Sequence, residues 1–263
     1  MIFIYALRKE LLEVVRTSKL IIMLAVMVAF GLASPLFARY TPEILSLIPE
    51  TAILAEIIPE PTLMDAVSQF MENTYQFGFI LGILLTMGSF VKEKDQGTAS
   101  MILVKPVSRS TFILAKFLAL AISFLVCISI ASLGAYYYST VLFALPEPAA
   151  WFHMTGVLWL LILVYVALTL AFSTILSSQA AGAGLSFGMM LVFSLIGFFP
   201  SLEQYSPTYL MTWAGNQFVN STLRSGNAIS GWKCEAWPAL LISLGIIFVS
   251  LAVSCIVIEN QEF

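Results

Sequence analysis

Between Glu147 and Glu203 the chain reads PAAWFHMTGVLWLLILVYVALTLAFSTILSSQAAGAGLSFGMMLVFSLIGFFPSL, residues 148–202, without one Asp, Glu, Lys or Arg. A hydrocarbon core about 30 Å thick needs roughly 20 apolar residues of helix, so this run is long enough for two spans. Its most polar and flexible stretch, Ser177-Ser178-Gln179-Ala180-Ala181-Gly182, predicts a short turn between spans at about Thr155 to Leu176 and Ala183 to Phe199. Outward from there, further uncharged runs lie between charged residues: Leu20 to Ala38, Asn73 to Val91, Phe117 to Pro146 and Ala236 to Ile258. The expected fold is an all-α integral membrane protein with six transmembrane helices, at about residues 20–38, 73–91, 117–140, 155–176, 183–199 and 236–258.

Composition agrees. Hydrophobic residues make up 60% of the chain and charged residues only 10%, where soluble domains carry about a quarter. Mean hydropathy is +0.96. Once the spans are set aside, too little polar sequence remains for a separate catalytic domain, so residues 20–263 read as one membrane domain. The net charge of -3 is small, and Lys and Arg are grouped by segment and not along one face, which gives no reason to expect nucleic acid as a partner. Cys127, Cys234 and Cys255 are far apart and suggest neither a disulfide framework nor zinc-ligand spacing.

The basic residues report topology. With the N-terminus inside, Arg8, Lys9, Arg16, Lys19, Lys92, Lys94, Lys105, Arg109 and Lys116 fall on the cytoplasmic side, and only Arg39, Arg224 and Lys233 fall outside. This positive-inside bias, with an even number of spans, predicts a multi-pass protein of the cell membrane with both termini cytoplasmic. Residues 1–19 lack the basic tip and apolar block of a signal peptide, so the first span is expected to act as its own insertion signal. Within them Phe3, Ile4, Leu7, Leu11, Val14 and Val15 fall on one side of a helix, and Lys9, Glu10, Glu13 and Arg16 on the other, which predicts a helix lying in the inner interface.

Outside the membrane, residues 39–72 carry four prolines and predict short helices on the outer surface. Thr62 with Asp65 three residues later has the form of a capping box that starts a helix leading into the second span. Residues 201–235 have the Asn and Gly content of turns. His153, the one histidine, lies beside Trp151 and Trp159 near the outer start of the fourth span and is expected to anchor at the interface.

Several chemistries are missing. No Gly-x-x-x-x-Gly-Lys-Ser/Thr loop is present to cradle phosphates, so any ATP hydrolysis must come from another chain. No ionisable Asp, Glu, Lys or Arg lies inside a predicted span, which argues against a proton-driven carrier. No catalytic residue and no metal site is expected. Gly78-x-x-x-Gly82 and Gly184-x-x-x-Gly188 permit close helix contact, within one subunit or between subunits.

The sizeable cytoplasmic loop is Lys92-Glu93-Lys94-Asp95-Gln96-Gly97-Thr98-Ala99-Ser100-Met101-Ile102-Leu103-Val104-Lys105-Pro106-Val107-Ser108-Arg109. Thr98 is placed to cap a short helix over residues 99–104, with Lys105 at its C-terminal end and Pro106 to stop it. Such a helix would present Met101, Ile102 and Leu103, a surface that calls for a partner or the membrane to cover it.

This loop resembles that of the membrane permeases of type-2 ATP-binding-cassette (ABC) transporters, through Glu93-x-x-x-Gly97-Thr98 and then Leu103-Val104-Lys105-Pro106-Val107-Ser108-Arg109, leading into a span headed by Phe112 and Lys116. The layout is similar too: an interfacial N-terminal helix, six spans and a large first outer segment. The resemblance implies an exporter permease working as a dimer, each copy engaging a separate ATPase subunit that holds ATP and Mg, with no cofactor in this chain. It implies that Glu93, Gly97, Thr98, Met101, Leu103, Pro106, Val107, Ser108 and Arg109 form the coupling element in a groove of that subunit. The family also contains subunits acting in copper-site assembly and exporters of drugs, peptides, lipids or polysaccharides. A non-transporting membrane anchor or mechanical transmitter, relaying ATPase motion to an outer partner, is the alternative.

Overall fold

The computed structural model describes residues 2–47, 59–88, 109–176, 178–223 and 236–260. These residues form helices α1 (Ile2–Arg16), α2 (Lys19–Ser46), α3 (Leu63–Met87), α4 (Arg109–Leu142), α5 (Pro148–Ile175), α6 (Gln179–Ile196), α7 (Tyr209–Leu223) and α8 (Trp237–Asn260), with a 3-10 turn at Glu203–Tyr205 and no strand among them. The α2, α4, α5 and α6 helices, together with Trp237–Glu259 of α8, are each long and apolar enough to cross a membrane. The α3 helix, which carries the second predicted span, is less apolar because Glu72, Asn73, Tyr75 and Gln76 lie in its middle.

Local chemistry sets the helix starts. The predicted capping box is present at α3: the Thr62 backbone N–H donates to Asp65 Oδ2 at 2.7 Å, and the Thr62 side chain meets the N3 backbone. Pro148 begins α5, where a missing N–H costs nothing. Ser178 caps α6, accepting from the Ala181 N–H, so the turn after α5 is tighter and earlier than the expected residues 177–182.

The α5 helix is the centre of the bundle. Leu158, Leu161, Ile162, Val164, Tyr165, Val166 and Ala167 are all fully buried, and α3, α4, α7 and α8 pack around it. The predicted Gly78/Gly82 motif makes the α3–α5 contact close: a Cβ on Gly78 would lie 2.8 Å from Ile162 Cγ1, and one on Gly82 would lie 3.3 Å from Val166 Cγ2. Polar side chains also tie helices together. Asn73 donates to Ser34 Oγ at 2.9 Å, the Tyr75 and Tyr165 hydroxyls share a 2.7 Å hydrogen bond, and Trp151 Nε1 donates to Ser132 Oγ at 2.8 Å.

The periphery is apolar as well. Along α4, Leu114, Leu118, Ile122, Leu125, Val126, Ile130 and Leu133 follow one another at helical spacing and are exposed, and α6 and α8 present similar faces. A helix that is apolar both inward and outward requires lipid as its outer solvent.

Two local expectations are corrected. The Asn- and Gly-containing segment 209–223 is the helix α7, because Leu210, Trp213, Ala214 and Phe218 recur at helical spacing and are buried. Trp151, a neighbour of His153 on α5, is fully buried and stacked on Phe70 at 5.3 Å. On α1, Glu10 joins Val14 on the buried face while Phe3, Ile4, Tyr5, Leu12 and Val15 are exposed. Leu7 and Leu11 of the predicted apolar face are half-buried beside Glu10 and Val14, so α1 turns this mixed side toward the bundle.

Candidate functional site

The chain alternates between two ends of the bundle. One end gathers α1, the start of α2, the end of α3, the start of α4, the α5–α6 turn and the end of α8. Among the described residues it holds Arg8, Lys9, Arg16, Lys19, Arg109 and Lys116, whereas the opposite end holds Arg39.

At the basic end, Lys116 is a cation inside an otherwise apolar helix and needs a partner. Its Nζ lies 2.9 Å from Glu10 Oε2, and the two side chains are only 5% and 4% exposed. Lys9 Nζ closes on the other oxygen, Glu10 Oε1, at 2.8 Å. Both ammonium groups also sit over the Phe112 ring, at 5.0 Å for Lys116 and 5.5 Å for Lys9. Burial alone would raise the Glu10 pKa; the charges and hydrogen bonds of Lys116 and Lys9 outweigh it and hold the carboxyl below its ordinary value. Glu10 is thus an anion that locks α1 against α4.

Arg109 adds a second link. It begins α4, and one terminal nitrogen donates to the backbone oxygens of Ile258 at 2.7 Å and Glu259 at 3.1 Å. A guanidinium at the C-terminal carbonyls of α8 satisfies acceptors that the helix leaves open and complements its dipole. Ser110 Oγ donates to Glu259 Oε1 at 2.7 Å. The first two turns of α4 are therefore clamped to α8 by Arg109 and to α1 by Lys116.

The expected coupling residues Glu93, Gly97, Thr98, Met101, Leu103, Pro106, Val107 and Ser108 lie outside the described residues. Arg109, where the chain returns from that segment, is the one the structure places. The buried Glu10–Lys116 pair is absent from the sequence reading; the signal for it was a lysine one residue before a long uncharged run. The second glycine motif behaves differently from the first. A Cβ on Gly184 or Gly188 would meet nothing within 4 Å, so this side of α6 is open. The same five residues have Gly-x-Ser-x-Gly spacing, but Ser186 lies within a helix and donates to Gly182 O at 2.9 Å, not on the strand-to-helix turn that such a nucleophile needs. His153 packs edge-on against Trp213 at 5.1 Å. Among the described residues no cluster of His, Cys, Asp and Glu is suited to hold a metal ion.

At the opposite end a cavity of ≈ 550 Å³ opens between the N-terminal half of α3, the end of α6 and α7.

Comparison with known proteins resolves the class. Residues 4–263 match the family model described as ABC-2 family transporter protein. The chain belongs to the ABC-2 transporter family. It is similar to the uncharacterized transmembrane protein YxlG of Bacillus subtilis (strain 168), with 30% identity over 207 residues, covering 76% of this chain and 79% of the relative. An ABC-2 member with these apolar helices is a multi-pass membrane protein and a permease component of an ABC transporter, not itself a catalyst.

Proposed function

We propose that this chain is the membrane subunit of an ATP-driven exporter, worked by a separate ATPase polypeptide that binds the basic end of the bundle. The positive-inside bias supports placing that end in the cytoplasm, with α3 as a sixth span and both termini inside. The observation that carries the reading is the clamp on α4. The segment between α3 and α4 is the expected ATPase contact, and its exit at Arg109 is tied within two turns to α8 and α1. Force applied there would move three helices together, as a coupling element must. The open Gly184/Gly188 side of α6 supports a second permease copy as the neighbour on that face.

Energised uptake into inverted membrane vesicles tests the reading. With the chain and its ATPase co-expressed, ATP should drive accumulation, and Gly97→Val in the coupling loop should abolish it while membrane insertion stays normal. ATP turnover that responds to the permease without any accumulation would favour the mechanical-transmitter alternative instead. An ATPase that neither co-purifies with the chain nor changes its turnover would overturn both.

A further inference from the structure

The cavity at the end opposite the clamp lies in the range of small-molecule pockets, which are about 300–1,000 Å³ and mostly apolar with few polar groups. Its apolar lining comes from Met64, Met71 and Met211, whose thioethers are polarisable and adaptable, and from Phe198 and Phe218. Its charged groups are the carboxylates of Glu72 and Glu203, and no Lys or Arg lines it among the described residues. Tyr75, which also lines it, is held by its 2.7 Å hydrogen bond to the buried Tyr165 hydroxyl, so its ring is fixed in place.

We infer that this cavity binds an onium cation with an apolar body. The apolar part would be received by the Met and Phe lining, and the positive centre by the carboxylates of Glu72 and Glu203. A neutral apolar molecule would gain nothing from the two carboxylates, and an anion would be repelled by them. Such a cation can come from two sources, a free amphiphile or the ammonium of a lipid headgroup. The inference rests on the exporter reading only in making the occupant its cargo; the binding itself does not depend on it.

The experiment is equilibrium binding to the full chain in phosphatidylglycerol nanodiscs, whose headgroup carries no ammonium, with empty nanodiscs subtracted. The probes are tetraphenylphosphonium and tetraphenylborate, which share a shape and differ in the sign of charge. Saturable binding of the cation alone is expected. Glu72→Gln and Glu203→Gln should each weaken it about fivefold, the scale of one partly exposed ion contact. Glu43→Gln, on a carboxylate outside the cavity, should leave it unchanged. Gly215→Leu would place a side chain where Met71 Cε is now 3.6 Å from an added Cβ, and should occlude the site. Thermal unfolding of each variant confirms that it is folded. Repeating the titration with phosphatidylethanolamine in the nanodisc identifies the source: loss of probe binding assigns the site to the lipid ammonium, and unchanged binding assigns it to a free cation. Equal binding of both probes, or cation binding indifferent to both Glu→Gln changes in folded protein, overturns the inference. No ATPase is present in this assay, so failure of ATP-driven transport would leave its result standing.

Discussion

The two ends of this bundle treat their charges in opposite ways. At the basic end, Glu10 is buried between Lys116 and Lys9, Lys19 reaches Glu13 at 3.2 Å, and Arg109 caps α8. At the other end, Glu72 and Glu203 line an open cavity. A buried charge fixed by several partners specifies how helices sit against one another, because losing one partner strands the rest. Carboxylates at a cavity wall contribute little to the fold and remain available to a ligand. The difference separates an end built to be moved as a unit from an end built to be occupied.

The sharpest way to break this contrast is to remove one member of the buried pair. Lys116→Met should destabilise the protein by ~3–5 kcal/mol, the cost of leaving a buried carboxylate without its main partner. The double variant Glu10→Leu, Lys116→Met should recover most of that loss, since an apolar pair of similar size needs no compensation. Unfolding by sodium dodecyl sulfate titration in mixed micelles measures both. A single variant as stable as the wild type would mean that α1 is not locked to α4.

Acid offers a reversible version of the same change. The folded Glu10 carboxyl titrates below its ordinary 4.5, so the pair contributes its full stability above pH 4.5. That contribution fades as the pH falls from 4.5 through the depressed folded value. Melting temperatures recorded across this window should fall more steeply for the wild type than for the apolar double variant. Parallel curves would show that other carboxylates govern the acid response.

What could be read from the sequence follows from which forces act locally. The membrane class, the α3 capping box and room for a close helix contact at Gly78, though not its partner α5, were legible because apolar runs, Thr62 with Asp65 and paired glycines each carry their own meaning. The α7 helix was obscured because Asn216, Asn220 and Gly215 on its other side have turn composition, although Leu210, Trp213 and Phe218 carried the periodicity. The burial of Glu10 could not be read from α1 alone. A helical wheel sets it at the edge of the apolar face, nearer Phe3 and Val14 than Lys9, but only Lys116, 106 residues away, makes an inward anion favourable. The same holds for Arg109, whose backbone partners on α8 are 149 and 150 residues distant.

A smaller effect is expected at that second link. Arg109→Ala removes charge-assisted donors from two terminal carbonyls of α8, which remain close to water and can rehydrate, so the loss should be about 1.5 kcal/mol. Because the contact is local, amide exchange should accelerate in the last turn of α8 and the first turn of α4 while the α5 core stays protected. Arg109→Lys should restore only part of the protection, because an ammonium lacks the planar fork of donors. Uniform acceleration across the bundle would indicate a global role in place of a terminal clamp.

The smallest effect belongs to the cavity end and completes the comparison. Glu72 and Glu203 hold no helix in place through an ion pair among the described residues, and both retain contact with solvent. Their replacement by Gln preserves size and polarity, so each should change unfolding stability by no more than ~0.5 kcal/mol. The informative measurement is the same detergent titration used for Lys116→Met, made side by side in one micelle composition. If Glu72→Gln proved as damaging as the loss of Lys116, the carboxylate would be a structural member of the bundle, and the contrast between the two ends would fail. If stability holds while cation binding falls, the carboxylates serve the ligand and not the fold, as their position on an open wall requires.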